Sequence, residues 1–133
     1  MTLSTERGAT PKVFLVEDNA DMRSILTQQL QCDGFEVEAA GTMNAALQQF
    51  PLFGSQILVS DLGLPDGDGW QLLRGLREAG LEPYAIAMSG FGALSDIAAS
   101  RDAGFRHHLV KPIDLDALER LLEEANQEVK ATQ

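Results

Sequence analysis

The chain has 133 residues, 44% hydrophobic and 23% charged, the make-up of one globular domain able to bury a core without staples. One cysteine, Cys32, excludes an internal disulfide framework and fits a reducing compartment, and no uninterrupted apolar stretch is long enough to span a bilayer. Twenty acidic residues against ten basic ones give a net charge of −10, which repels phosphate backbones and anionic lipid but welcomes a cation in any acidic pocket. Direct contact with nucleic acid or membrane is therefore not expected. With no secretory leader in the first ten residues, the expected location is the cytoplasm.

Residues 1–11 are polar and are expected to form a flexible tail, followed by a domain over 12–128 and a frayed end at 129–133. Lys12 to Val16 is a short apolar run that stops at Glu17-Asp18. Asn19 is a good N-cap for a helix carrying Met22, Ile25, Leu26 and Leu30 on one face, closed by Gly34. Phe35 to Ala39 alternates like an edge strand, and Thr42 caps a helix with Ala45, Ala46, Leu47 and Phe50 that Pro51 is expected to end. The third apolar run, about 56–60, stops at Asp61 and turns through Gly63, Pro65 and Gly67. Asp68 and Gln71 have capping-box spacing for a helix whose buried stripe is Leu72, Leu73, Leu76 and Ala79. Tyr84 to Met88 is a fourth strand, broken at Ser89-Gly90. The helix over about 93–103 is rich in Ala and Ser, so its apolar face is thin and its packing the least firm. His107 to Val110 is a fifth strand before Lys111-Pro112, and Asp114 caps a last helix with Leu115, Leu118, Leu121, Leu122 and Ala125.

Strand and helix alternate five times, which predicts an α/β fold with a parallel sheet covered on both faces. Parallel strands share a carboxyl edge, where such sheets place their ligands. Glu17, Asp18, Asp61, Ser89 and Lys111 are thus predicted to meet at one rim. Bunched carboxylates repel one another unless they hold protons or a cation, and a hard divalent ion such as Mg²⁺ would relieve them. Asp61 could then attack phosphorus while Lys111 neutralises the phosphoryl oxygens and Ser89 donates a hydrogen bond, since phosphoryl transfer asks mostly for positioning and charge stabilisation.

These residues carry a resemblance. Glu17-Asp18, Asp61-Leu62-Gly63-Leu64-Pro65, Ser89-Gly90 and Lys111-Pro112, in that order and each after a strand, resemble the two-component response-regulator receiver domain over residues 11 to 128. Met88 to Gly92 and Ala103 to Pro112 look like receivers attached to hybrid histidine kinases. The resemblance implies a five-stranded, flavodoxin-like fold with strand order 2-1-3-4-5. It implies that Asp61 accepts a phosphoryl group from the phosphohistidine of a histidine kinase or histidine phosphotransfer protein. Asp18, Asp61 and the backbone carbonyl of Gly63 would ligate Mg²⁺, with Mn²⁺ as a substitute and Glu17 acting mainly through water. Ser89 and Lys111 would contact the phosphoryl oxygens and switch the surface of the fourth helix, fifth strand and fifth helix toward a downstream protein. The Lys111-Pro112 bond would be cis.

His108 occupies a position where the family often carries a Tyr or Phe that turns inward on activation; either the imidazole makes that swing or the output depends less on it. Gly63 and Phe91, two residues beyond Asp61 and Ser89, cannot orient a water with their side chains, which implies slow loss of the phosphoryl group. His107 and His108 cannot readily share a metal, because neighbours on a strand point to opposite faces.

Taken singly, Asp18 would be a helix cap, Asp66 a solvated turn residue, Ser89 a turn serine and Lys111 a solvated lysine. A haloacid-dehalogenase-type phosphatase needs a second Asp where Gly63 stands. A flavodoxin-like cofactor carrier needs a Ser/Thr/Gly-rich loop where Glu17-Asp18 stand. A receiver-like interaction module that works without phosphorylation is the rival the sequence leaves most open.

Overall fold

The computed structural model describes residues 10–90 and 94–131; the first nine residues of the tail expected over 1–11 lie outside them, as does Phe91. Strand β1 (Lys12–Val16) leads into helix α1 (Ala20–Cys32), β2 (Glu36–Ala40) into α2 (Met43–Phe53) and β3 (Ile57–Asp61) into α3 (Gly69–Glu78). Strand β4 (Tyr84–Ser89) is followed by α4 (Leu94–Ala103), and β5 (His107–Val110) by α5 (Leu115–Ala131). The sheet is parallel throughout, in the order β2-β1-β3-β4-β5. Order reverses between β1 and β3, so a crevice opens at their carboxyl ends.

Continuous apolar runs make the central strands, because both of their faces are covered. Val13, Leu15, Ile57, Val59, Ile86 and Met88 meet Leu26 and Leu30 of α1 and Leu118, Leu122 and Ala125 of α5. On the other face Phe14, Val16, Leu58, Ala85 and Ala87 meet Ala46 and Phe50 of α2 and Leu72, Leu73 and Leu76 of α3. Strand β2 is the half-exposed edge expected from its alternation. The predicted caps form: Asn19, Thr42 and Asp68 accept from the backbone N–H of Met22, Ala45 and Gln71, and Asp114 from Asp116 and Ala117.

Three expectations need correction, and two segments carry more regular structure than the sequence announced. Helix α2 runs through Pro51 to Phe53, because a proline in the last turn removes only one bond, and Gly54 ends the helix at a left-handed φ of 82°. Ile25 is 54% exposed, since the buried stripe of α1 follows Met22, Leu26 and Leu30 at intervals of four. Ala79 is the exposed C-cap of α3 rather than part of its stripe. The expected turn after Asp61 is the tip of a short antiparallel hairpin, Gly63–Leu64 against Gly67–Asp68. Helix α5 continues past Glu128 to Ala131, with Val129 packed on the core.

Candidate functional site

Register delivers the site. Val16 lies beside Ser60, Asp61 beside Met88 and Ser89 beside Val110, so the residues ending or following four strands are level at the carboxyl edge. The loop bonds continue that registration: Glu17 N–H donates to the Ala40 carbonyl at 3.0 Å and Lys111 N–H to the Ser89 carbonyl at 2.7 Å.

Glu17 is 0% exposed and Asp61 only 5%, whereas Asp18 faces solvent. Buried carboxylates require partners. Lys111 Nζ bridges them, 2.8 Å from Glu17 Oε1 and 2.9 Å from Asp61 Oδ2. The other Glu17 oxygen accepts the Asn19 N–H at 3.1 Å, and its carbonyl accepts Arg23 Nη1 at 2.8 Å. Burial and the hydrogen bond shared with Glu17 push the Asp61 carboxyl up to about 7, against the opposing pull of Lys111. Burial works to raise Glu17 as well, but hydrogen bonds from Asp61, Lys111 and the Asn19 N–H bring it below its ordinary value. Lys111 feels burial as a downward pull that its two carboxylates outweigh, so it remains an ammonium. Without a cation, then, the pair retains a proton to a higher pH than carboxylates usually do.

Asp18, Asp61, Leu62, Gly63, Trp70, Ser89, Gly90, Asp96 and Lys111 line an open cleft of about 410 Å³. Glycine is required at position 69, on the first turn of α3, because a Cβ there would lie 2.7 Å from the Asp61 carbonyl oxygen. The carboxylate oxygens of Glu17, Asp18 and Asp61 come within 4.8 Å of one another. A hard-oxygen donor set in which carboxylates outnumber the one ammonium fits a hard divalent cation. The Lys111-Pro112 bond is cis.

The structure brings together every residue placed at this rim from sequence, with Glu17 facing inward onto Lys111 rather than outward. His108 is also there: its Nε2 lies 2.7 Å from Ser89 Oγ and its Nδ1 3.2 Å from Ser100 Oγ on α4. Trp70 Nε1 donates to the same Ser100 oxygen at 3.1 Å. His107 points to the opposite face, where its Nε2 lies 2.9 Å from Tyr84 Oη, so the two histidines do not share a ligand site.

Sequence reasoning missed Trp70, Asp96, Ser100 and the part played by Asp66. A tryptophan at the start of a buried helix needs a partner for its N–H, which was the available signal for Trp70. Asp96 gives no such signal in the sequence. Asp66, expected to be a solvated turn residue, reaches from the hairpin tip to α2 and accepts the N–H groups of Met43 and Asn44 at 2.7 and 2.9 Å. Those bonds hold its carboxyl below the ordinary value.

Comparison with known proteins agrees with this geometry. The family profile described as "Response regulator receiver domain" matches residues 13–123. The KDP operon transcriptional regulatory protein KdpE of Escherichia coli is 35% identical over 120 residues, 90% of this chain and 53% of KdpE. An uncharacterized 14.6 kDa protein of Leptolyngbya boryana is 32% identical over 114 residues, 84% of this chain and 87% of that protein. The Francisella response regulator 1452 receiver domain superposes with a TM-score of 0.85 at 21% identity, covering 90% of this chain and 98% of the other. The chain thus spans about half the length of the KdpE protein it matches.

Proposed function

Because this chain belongs to the response regulator receiver domain family of two-component systems, we propose that Asp61 is its phosphoacceptor and that the domain acts as a phosphorylation switch rather than a turnover enzyme. The observation that supports this most is Lys111 Nζ at 2.9 Å from a nearly buried Asp61, at the carboxyl edge of the sheet and open to a cleft of about 410 Å³. An Asp61 oxygen attacks phosphorus, forming an acyl-phosphate bond as the bond from phosphorus to the donor's imidazole nitrogen breaks. Attack needs the carboxylate form of Asp61. Lys111 stabilises charge on the phosphoryl oxygens, and Ser89 donates its hydroxyl proton to one of them as a hydrogen bond.

Asp18, Asp61 and the Gly63 carbonyl, with Glu17 through water, would hold Mg²⁺ or Mn²⁺, which when bound supplies neutralising charge for the carboxylates and the incoming group. Slow loss of the phosphoryl group follows from Gly63, which has no side chain to direct a water. The donor would be a histidine kinase or histidine phosphotransfer protein. The output would pass to a downstream protein meeting α4, β5 and α5. No helix among the described residues is long and apolar enough to cross a membrane; a cytoplasmic site of action is part of this proposal.

Incubation with Mg²⁺ and acetyl phosphate, followed by intact mass measurement, tests the reading. One phosphoryl adduct is expected, absent with chelator and absent in Asp61→Asn, with a half-life well beyond seconds. No adduct with any small donor would favour an interaction module that works without phosphorylation.

A further inference from the structure

His108 sits between the cleft and helix α4, bonded on both ring nitrogens. A neutral imidazole has one N–H and one bare nitrogen, so the direction of one bond fixes the direction of the other. Beyond His108 the row continues from Ser100 Oγ to Trp70 Nε1, which can only donate. Ser100 is 1% exposed, and among the described residues of α4 its side chain is the buried one. A polar row, beside the apolar contact that Ala103 makes with the core, therefore connects the cleft to the helix expected to be least firmly packed.

We infer that His108 is a positioning residue that relays the state of Asp61 by changing which ring nitrogen carries its proton, with the ring staying in place between Ser89 and Ser100. The inference rests on Asp61 being the phosphoacceptor. In the unmodified domain the Ser89–Nε2 distance of 2.7 Å suits a hydroxyl donating to a bare nitrogen, and the Nδ1–Ser100 distance of 3.2 Å suits a ring N–H donating to a hydroxyl. Ser100 then accepts from both His108 and Trp70, and its own hydrogen points elsewhere. A phosphoryl group on Asp61 presents strong acceptor oxygens and draws the Ser89 hydrogen toward itself. Ser89 Oγ must then accept from His108, so Nε2 carries the proton and Nδ1 is bare. The ring gives one proton to solvent at Nδ1 and takes one from solvent at Nε2, with no net change in charge. Ser100 now donates to Nδ1, and all donors in the row from Trp70 to the phosphoryl oxygen point the same way. Rotation of one hydroxyl on α4 is the output of the relay, and it reaches α3 through Trp70.

The chain has only two histidines and one tryptophan, so ring-nitrogen NMR on the full chain resolves the relay directly. Spectra are recorded with Mg²⁺ before and after acetyl phosphate, with intact mass as the control for modification. The expected result is a change of His108 from the Nδ1–H to the Nε2–H tautomer, with His107 unchanged and a shift of the Trp70 indole N–H resonance. In Ser100→Ala the adduct still forms and the Trp70 shift is lost. An adduct with the His108 tautomer unchanged, or a Trp70 shift that survives in Ser100→Ala, overturns the relay and leaves the phosphoacceptor reading standing. No adduct at all overturns both.

Discussion

Helices α3 and α4 lie side by side over one face of the sheet, yet they are held down largely by different means, although Ala103 of α4 also packs on the apolar core. Helix α3 buries Leu72, Leu73 and Leu76 completely, is capped by Asp68, and begins at a glycine pressed against the Asp61 carbonyl. Among the described residues of α4, the buried side chain is the hydroxyl of Ser100, tied to Trp70 and His108 by hydrogen bonds. Apolar burial is non-directional and offers a signal nothing to toggle. A hydrogen bond between hydroxyl and imidazole can reverse direction at little net cost, so the weaker anchor is the one a charge arriving at Asp61 can address. On the proposed relay the cleft has a fixed wall and a responsive wall.

The contrast is open to attack from the fixed side first. Leu73→Ala removes an α3 anchor and is expected to lower unfolding free energy by about 2–5 kcal/mol, read from urea titrations. Ser100→Ala should cost only about 0.5–1.5 kcal/mol, because the half-buried Trp70 and His108 it strands can reach water. Equal losses at the two positions would erase the distinction between the walls.

The cleft itself gives an intermediate effect, and its sign is determined. Asp61 is raised from an ordinary 3.8 to about 7, so the folded state binds more protons than the unfolded state in that window. Stability is fullest below the unfolded value and is lost as pH rises through the folded one, by at most about 4 kcal/mol. Glu17, shifted downward, acts in the opposite sense, but its contribution is lost only as pH falls below its ordinary 4.5. Metal-free protein is therefore expected to melt at progressively lower temperature from pH 5 to pH 8. Mg²⁺ should flatten the trend by taking over the proton's role, as should Asp61→Asn. A melting temperature that rises over this range in metal-free protein would contradict the buried pairing.

The smallest effect belongs to the hairpin that braces the fixed wall. Asp66 has a depressed carboxyl that bonds the first N–H groups of α2, so its stabilisation is present above its unfolded value and disappears as pH falls through the folded one. Asp66→Ala should lower the melting temperature modestly at neutral pH, by an amount that shrinks as pH falls below the ordinary carboxylate value.

Much of the responsive architecture is legible in the chain because its signals are local. An apolar run that stops at a carboxylate, a hydroxyl or a lysine reports a strand and the group at its carboxyl end together, and four such stops give the rim and four of the five strands. Cap residues at Asn19, Thr42, Asp68 and Asp114 are equally local. What escaped depends on partners far along the chain. Asp66 looks like a turn residue until α2, more than twenty positions earlier, is seen to present its N–H groups. Ser100 looks like one small polar residue among several until Trp70, 30 positions away, and His108 close on it. Val129 packs on the core from beyond the expected end of α5, a contact that its polar neighbours in sequence do not announce.

The phosphoacceptor itself is open to one chemical identification, because Asp18 and Asp96 line the same cleft as Asp61. Borohydride converts an aspartyl phosphate to homoserine, so treatment of the phosphorylated protein followed by peptide mapping marks the carboxylate that carried the group. Homoserine at position 61 alone is the expected result. Homoserine at position 18 or 96, or a phosphoryl adduct that yields none, would contradict it.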